Sequence, residues 1–287
     1  MERLPQQPDS RVEQGPSLPE YYEALTDLAL NHPADLLAIH YGLWGPDTKS
    51  DEEALLRANQ TLVRGCDLDP GRQVLDAGCG VGGTAIWLAR EYGVRAIGLT
   101  NCESHVALAT EQAKRRGVGH LVEFRYGDFM EMPFPDSCFD AVLNHETYCY
   151  APDKPAFLRG VYRVLKPGGR WQAVDGFLSD KTLSERDEEI HAEMQRGWHT
   201  PPLERWRNLL ATLDRTGFEE VGEQDLDSEL APAAERLSNL WKLLGPYFTP
   251  ADRRWAYQEF MKGVLNFDEG LRQGMFTYRL IFGAKPA

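Results

Sequence analysis

The chain has 287 residues, enough for one large domain or two small ones, and at 42% hydrophobic and 26% charged it has the composition of an ordinary globular protein. Its net charge of −13 argues against a nucleic-acid binder, because affinity for phosphate comes from Lys and Arg. No apolar run reaches the length of a membrane span, the start has no apolar signal stretch, and the 5 cysteines form no C-x-x-C pair. A cytoplasmic protein without disulfides or a zinc site is expected.

In chain order, residues 1–16 are polar and read as a disordered tail, and 17–66 as a mainly helical segment. From about 73 to 226, apolar runs of strand length alternate with amphipathic stretches of helix length. QVLDA (73–77) is a strand, GGTAIWLAREY (82–92) a helix, VRAIGL (94–99) a strand and CESHVALATEQAKRR (102–116) a helix. LVEFRYG (121–127) and FDAVLN (139–144) are strands, and KPAFLRGVYRVLK (154–166) is a helix stopped by Pro167-Gly168-Gly169. RWQAVDGFL (170–178) is a strand, LERWRNLLATLDRTG (203–217) a helix, FEEVGEQDL (218–226) a strand, and GMFTYRLIFGAKP contains the last strand. The stretches near 179–202 and 227–274 read as helical insertions. Alternation with continuously apolar strands predicts an α/β fold: a doubly wound, mostly parallel seven-stranded sheet covered on both faces, with 67–287 as the core.

Between the first strand and helix lies VLDAGCGVGG (74–83), where Gly78, Gly80 and Gly83 satisfy G-x-G-x-x-G. That loop alone is shared by nicotinamide, flavin and S-adenosylmethionine (SAM) proteins. Two features separate them. A carboxylate at Asp76 sits badly against a pyrophosphate but well against the ammonium of SAM. A dinucleotide site also wants an acid at the end of the second strand, where this chain has Gly98-Leu99-Thr100-Asn101.

The motifs D-A-G-C-G-V-G-G, G-D-F-M-E-M-P-F (127–134) and V-L-K-P-G-G (164–169) follow one another at suitable spacing, and together they resemble the class I SAM-dependent methyltransferases. G-L-T-N-C-E, H-E-T-Y-C-Y-A-P (145–152) and the C-terminal G-M-F-T-Y-R-L-I-F-G-A-K-P are similar to sterol and terpenoid C-methyltransferases of that class. The resemblance implies a Rossmann-like fold with a helical N-terminal cap. It also implies that Asp76, Gly78 and Gly80 face the methionine half of SAM, Thr100 and Asn101 the ribose, and Asp128 and Phe129 the adenine. Asn144, at the end of the fourth strand, joins this cofactor set.

HETYCYAP ends an apolar strand with a histidine, a glutamate and two tyrosines, where ordinary turns use Gly, Pro, Asn, Asp and Ser. Carbon methylation needs a base and electron-rich walls. Glu146 is the first candidate for the base and His145 the second; Tyr148 and Tyr150 offer rings to a cation. Tyr21, Tyr41, Trp44, Trp198 and Trp241 are the further candidates for substrate contact, with Tyr22, His40, His199, Tyr247 and Phe248 as further candidate cap residues. A diphosphate substrate would bring Mg²⁺ and want arginines such as Arg196, Arg253 or Arg254. Three readings stay open: a methyltransferase acting on carbon of an apolar isoprenoid, an O- or N-methyltransferase of a polar natural product, and a non-catalytic SAM-binding subunit. Homo-oligomerisation also stays open.

Overall fold

In the computed structural model, the residues described are 17–30, 37–248 and 254–287. The expected tail, 1–16, lies outside them. Among the described residues there are seven strands, in the spatial order β3-β2-β1-β4-β5-β7-β6. They are β1 (Gln73–Ala77), β2 (Arg95–Thr100), β3 (Val122–Tyr126), β4 (Phe139–His145), β5 (Leu165–Leu178), β6 (Glu219–Asp225) and β7 (Phe276–Ala284). The pairs from β3 across to β5 are parallel, while β7 runs antiparallel between β5 and β6. The sequence order reverses direction between β1 and β4, and at such a switch point the strand ends leave a crevice.

Helices α3 (Gly83–Tyr92), α4 (Glu103–Arg115), α5 (Lys154–Val164) and α7 (Trp206–Thr216) make the crossovers. Each presents an apolar stripe to the sheet, as parallel strands buried on both faces require. Val74, Ala141 and Val174 enter one core cluster, and Leu75, Val142 and Ala173 another, so neighbouring residues of β1, β4 and β5 point to opposite faces. The expected strand at 170–178 begins earlier, at Leu165. Pro167 disfavours helix in the residue before it, so α5 stops at Val164, and the strand that follows passes a left-handed Gly168, at φ 75°, with a register shift against β4.

The remaining helices are α1 (Leu18–Leu30), α2 (Asp51–Leu62), α6 (Glu185–Trp198), α8 (Asp227–Phe248) and α9 (Arg254–Arg272). The segment expected to be mainly helical, 17–66, holds α1 and α2 but is irregular from 37 to 50. Tyr21, Ala24 and Leu25 of α1 pack on Ala256 and Tyr257 of α9. Helices α6 and α9 touch through backbone: a Cβ at Gly197 would lie 2.3 Å from the Gly263 nitrogen. Among the described residues, no helix is long and apolar enough to cross a membrane.

Gly197→Ala should therefore force α6 and α9 apart and lower stability by about 1–3 kcal/mol, the usual cost of overpacking. Urea unfolding reads this directly; an unchanged midpoint would mean that the two helices are not in backbone contact.

Candidate active site

A cavity of about 340 Å³ opens beyond the carboxyl ends of β1, β2, β4 and β5. Its floor is the glycine loop. Gly78 has φ 97°, and a Cβ there would lie 2.6 Å from Cγ2 of Thr147, so both backbone and space require glycine. A Cβ at Gly80, at φ 50°, would meet nothing within 4 Å; there the backbone faces open space. The N–H groups of Gly78 and Cys79 both donate to the Leu99 carbonyl, at 2.9 and 3.0 Å, which fastens the loop to β2 and brings Thr100 and Asn101 to the wall.

Asp76 is only 2% exposed, and its Oδ2 has no hydrogen-bond partner. Burial, partly offset by the Ala85 N–H, pushes its carboxyl up to about 7. An ammonium group would supply both the missing bond and the missing charge. Asp128 accepts the Met130 N–H at Oδ1 (2.8 Å), and Phe129 beside it packs edge-on against Phe157, the ring centroids 5.3 Å apart. The unpartnered Asp76 oxygen, the open backbone at Gly80 and the Asp128–Phe129 wall fit SAM. Asp76 would hold its amino group, Thr100 and Asn101 its ribose, and Asp128 and Phe129 its adenine.

The other half of the cavity is built around the end of β4. Glu146 adopts φ 51°, and its N–H donates to Val174 O at 2.8 Å. Its Oε1 accepts from the Tyr41 N–H (2.8 Å) and the Tyr278 O–H (2.5 Å), and no described residue donates to Oε2. Burial pushes this carboxyl up to about 8; the Tyr278 and Tyr41 bonds oppose the rise and the nearby Asp175 adds to it. The His145 ring stacks on His40 with centroids 3.6 Å apart, its Nδ1 lies 3.4 Å from Thr84 Oγ1, and its Nε2 has no partner. Burial, then His40, holds it well below the ordinary histidine range, so the ring is neutral.

Tyr41, Trp198, Phe267 and Tyr278 give this half an aromatic wall, with Tyr41 centred 6.4, 6.2 and 6.4 Å from the other three rings. Tyr22 donates to the Tyr150 hydroxyl at 2.5 Å, and Tyr150 donates to Trp198 O at 3.1 Å.

Thus Asp76, Gly78, Gly80, Thr100, Asn101, Asp128, Phe129, His145, Glu146, Tyr41, Tyr150 and Trp198 meet at one cavity. Five expected residues do not reach its wall. A 3-10 turn at Tyr148–Tyr150 turns the Tyr148 ring away, among Phe157, Trp171 and Phe177, with its O–H on Glu204 at 2.7 Å. Asn144 alternates with His145 and points to the opposite side of β4. There it donates to Ala77 O (3.0 Å) and Thr147 Oγ1 (2.9 Å) and accepts from Trp171 Nε1 (2.9 Å). Tyr21 faces α6 and donates to Gly197 O at 3.0 Å; its neighbour Tyr22 reaches the cavity instead. Trp44 lies beneath the Arg236 guanidinium, 4.4 Å from its ring centroid, and its N–H is tied to Glu229 O of α8. Trp241 packs on the α1–α9 cluster.

Of the arginines considered for a diphosphate, Arg196 is exposed and paired with Glu193, Arg254 is exposed, and Arg253 lies outside the described residues. No Arg or Lys is among the described wall residues, and among the described residues no three His, Cys, Asp or Glu are grouped to hold a metal.

Sequence reasoning missed Asp175 and Tyr278, both on the wall. Asp175 carried a readable signal, an acid ending the apolar run WQAV, as Glu146 ends its own strand. Tyr278 lies in a strand, FTYRLIFGA, whose residues mark no end or break at that position, and carried none.

Residues 75–171 match the family model described as a methyltransferase domain. A sterol 24-C-methyltransferase of Gibberella zeae is 31% identical over 276 residues, which cover 93% of this chain and 67% of that protein. One of Yarrowia lipolytica is 29% identical over 234 residues, covering 81% and 58%. Among solved structures, the geranyl diphosphate C-methyltransferase of Streptomyces coelicolor, in complex with Mg²⁺, geranyl diphosphate and S-adenosyl-L-homocysteine, superposes with a TM-score of 0.70 at 20% identity, over 92% of this chain and 97% of that one. At that identity the likeness is one of fold. The chain belongs to the class I SAM-dependent methyltransferases. Within that class it stands close to the sterol C-methyltransferases, although it spans only 52–58% of the length of the first curated relatives it matches.

Because Asp76 must be ionised to hold an ammonium group, SAM affinity should rise as pH increases from 6 to 7.5, through the proton loss at about 7. Asp76→Asn should weaken SAM roughly 10- to 100-fold, the loss of a charge-assisted hydrogen bond, and flatten that dependence. Calorimetric titration measures both; a variant with wild-type affinity would put the amino group elsewhere.

Proposed function

We propose that this chain transfers the methyl group of SAM to a carbon of a small, apolar isoprenoid. The observation that carries the reading is Glu146: both donors converge on Oε1, leaving Oε2 open beside an aromatic wall. Bound SAM supplies an electrophilic methyl on a sulfonium centre. As the π electrons of an acceptor alkene form the new C–C bond, the S–CH₃ bond breaks with its electrons going to sulfur, S-adenosylhomocysteine leaves, and the alkene is left as a carbocation. The rings of Tyr41, Trp198, Phe267 and Tyr278 present electron-rich surface to such a cation. Glu146 Oε2 takes a proton from the adjacent carbon, and the C–H electrons restore the double bond. Holding both reactants in one cavity removes a further part of the barrier, of order 7–11 kcal/mol when alignment is good.

In this reading, residues 17–66 and the insertions near 179–202 and 227–274 form the cover of the acceptor half. They contribute Tyr22, Tyr41, Trp198, Leu237, Phe260 and Phe267 to the wall. Water kept out by that cover cannot quench the cation. The partner is then a small molecule rather than a nucleic acid.

Incubation with methyl-labelled SAM and a panel of prenyl alcohols, prenyl diphosphates, sterols and phenols should put the label on carbon of an isoprenoid; label on oxygen or nitrogen would sink the reading. With the acceptor so found, Glu146→Gln should keep SAM affinity near wild type and lower turnover about 10²–10⁴-fold, the range for a general base. Wild-type turnover should climb with pH through about 8, since only the ionised carboxylate accepts a proton. A Gln variant that turns over normally would exclude Glu146 as the base.

A further inference from the structure

Glu146 holds a left-handed backbone without being glycine, with φ 51°. Such a conformation persists at a site only where surrounding structure fixes it. Two ties come from β5. The Glu146 N–H bonds Val174 O at 2.8 Å, and the next residue, Asp175, accepts the Cys149 N–H at Oδ2 (2.9 Å) and the Gly176 N–H at Oδ1 (2.8 Å). The parallel register pairs His145 with Val174, so Glu146 and Asp175 leave neighbouring strands side by side. Asp175 is 3% exposed and its carboxyl lines the same cavity.

We propose that Asp175 is a positioning residue for Glu146: it clamps the turn at Cys149 that fixes the Glu146 backbone, and its negative charge opposes a second charge on the neighbouring carboxyl. The functional meaning rests on Glu146 as the proton acceptor; the pairing of the two acids does not.

The groups facing Glu146 come from five elements. Tyr41 of the 37–50 segment and Tyr278 of β7 bond it, while Tyr22 of α1, Cys149 of the turn and Asp175 of β5 lie within electrostatic reach. The cation facing Asp175 is Lys154 of α5, whose Nζ donates to Cys149 O at 3.1 Å and Ala151 O at 2.6 Å. Burial raises both carboxyls, but two backbone N–H donors and the nearby Lys154 favour the charged form of Asp175, so Asp175 ionises first and Glu146 second. Two acids so placed titrate as a pair, the first ionisation delaying the second.

Carbon-13 NMR titration of side-chain carboxyls reads this without any acceptor, with the Glu146 signal assigned by its loss in Glu146→Gln. In wild-type protein, the Glu146 carbon should move in two steps, a small one with Asp175 and a large one at higher pH. Asp175→Asn keeps one acceptor oxygen but no charge, so the small step should vanish and the large one should move down by about half to one pH unit. Asp175→Ala should also speed hydrogen exchange at the Cys149 amide. A single-step Glu146 titration in wild-type protein overturns the proposal even if the variants fail to fold, as does an Asp175→Asn midpoint equal to wild type. If the pairing holds while Glu146→Gln turns over normally, the base reading fails and the pair stands.

Discussion

The site hangs on one carboxyl oxygen. Glu146 Oε1 receives the Tyr41 N–H, 105 residues away in sequence, and the Tyr278 O–H, 132 residues away. Those two bonds join the irregular N-terminal segment, the end of β4 and the antiparallel strand β7 at a single point. They also orient the acid, since an oxygen with two donors is fixed while its twin is left open. Around this point the chain tolerates a left-handed glutamate and a stacked pair of histidines. The Tyr41 bond joins the His40–His145 stack and the packing of Leu37 on the glycine loop in holding residues 37–41 over the strand ends.

The wall has a consistent electrostatic character. Asp76, Asp128, Glu146 and Asp175 all line it, and Asp76, Glu146 and Asp175 are pushed above the ordinary carboxyl range, burial being the largest cause each time. Buried acids without cationic partners are costly, and the cost falls when a cation enters. In the proposed reading, SAM would bring an ammonium to Asp76 and a sulfonium toward Glu146. A carbocation formed beside Glu146 would be a third positive charge in the same field. Among the described residues, Lys154 is the protein's own cation beside Asp175; in the proposed reading the charge on Asp76 and Glu146 is met by positive charge that arrives with SAM or develops during reaction.

The sheet, its crossovers and most of the cofactor half were legible in the sequence, because they rest on local patterns: apolar alternation, a glycine-rich loop after the first strand, and acids at the mouths of the first and third strands, Asp76 and Asp128. Glu146 was legible for the same reason, as a charge released at the end of an apolar run. What failed depended on direction. Tyr148 and Asn144 were expected at the cavity from their place in HETYCYAP and beside it, but strand alternation and a three-residue turn send both to the far side. Tyr21 and Tyr22 are adjacent on a helix, and only packing against α6 and α9 decides which ring faces in. Tyr278 was invisible because its role depends on β7 returning antiparallel beside β5, a long-range pairing that no local pattern in FTYRLIF announces.

The central claim is that a single cavity places a methyl donor bound along Asp76–Asp128 next to the open oxygen of Glu146. A crystal structure with S-adenosylhomocysteine bound tests it most directly. The account predicts the amino group on Asp76 Oδ2, the adenine between Asp128 and Phe129, and the sulfur turned toward Glu146 Oε2 and the aromatic wall. A nucleoside whose amino group lies away from Asp76, or whose sulfur faces away from Glu146, would contradict it.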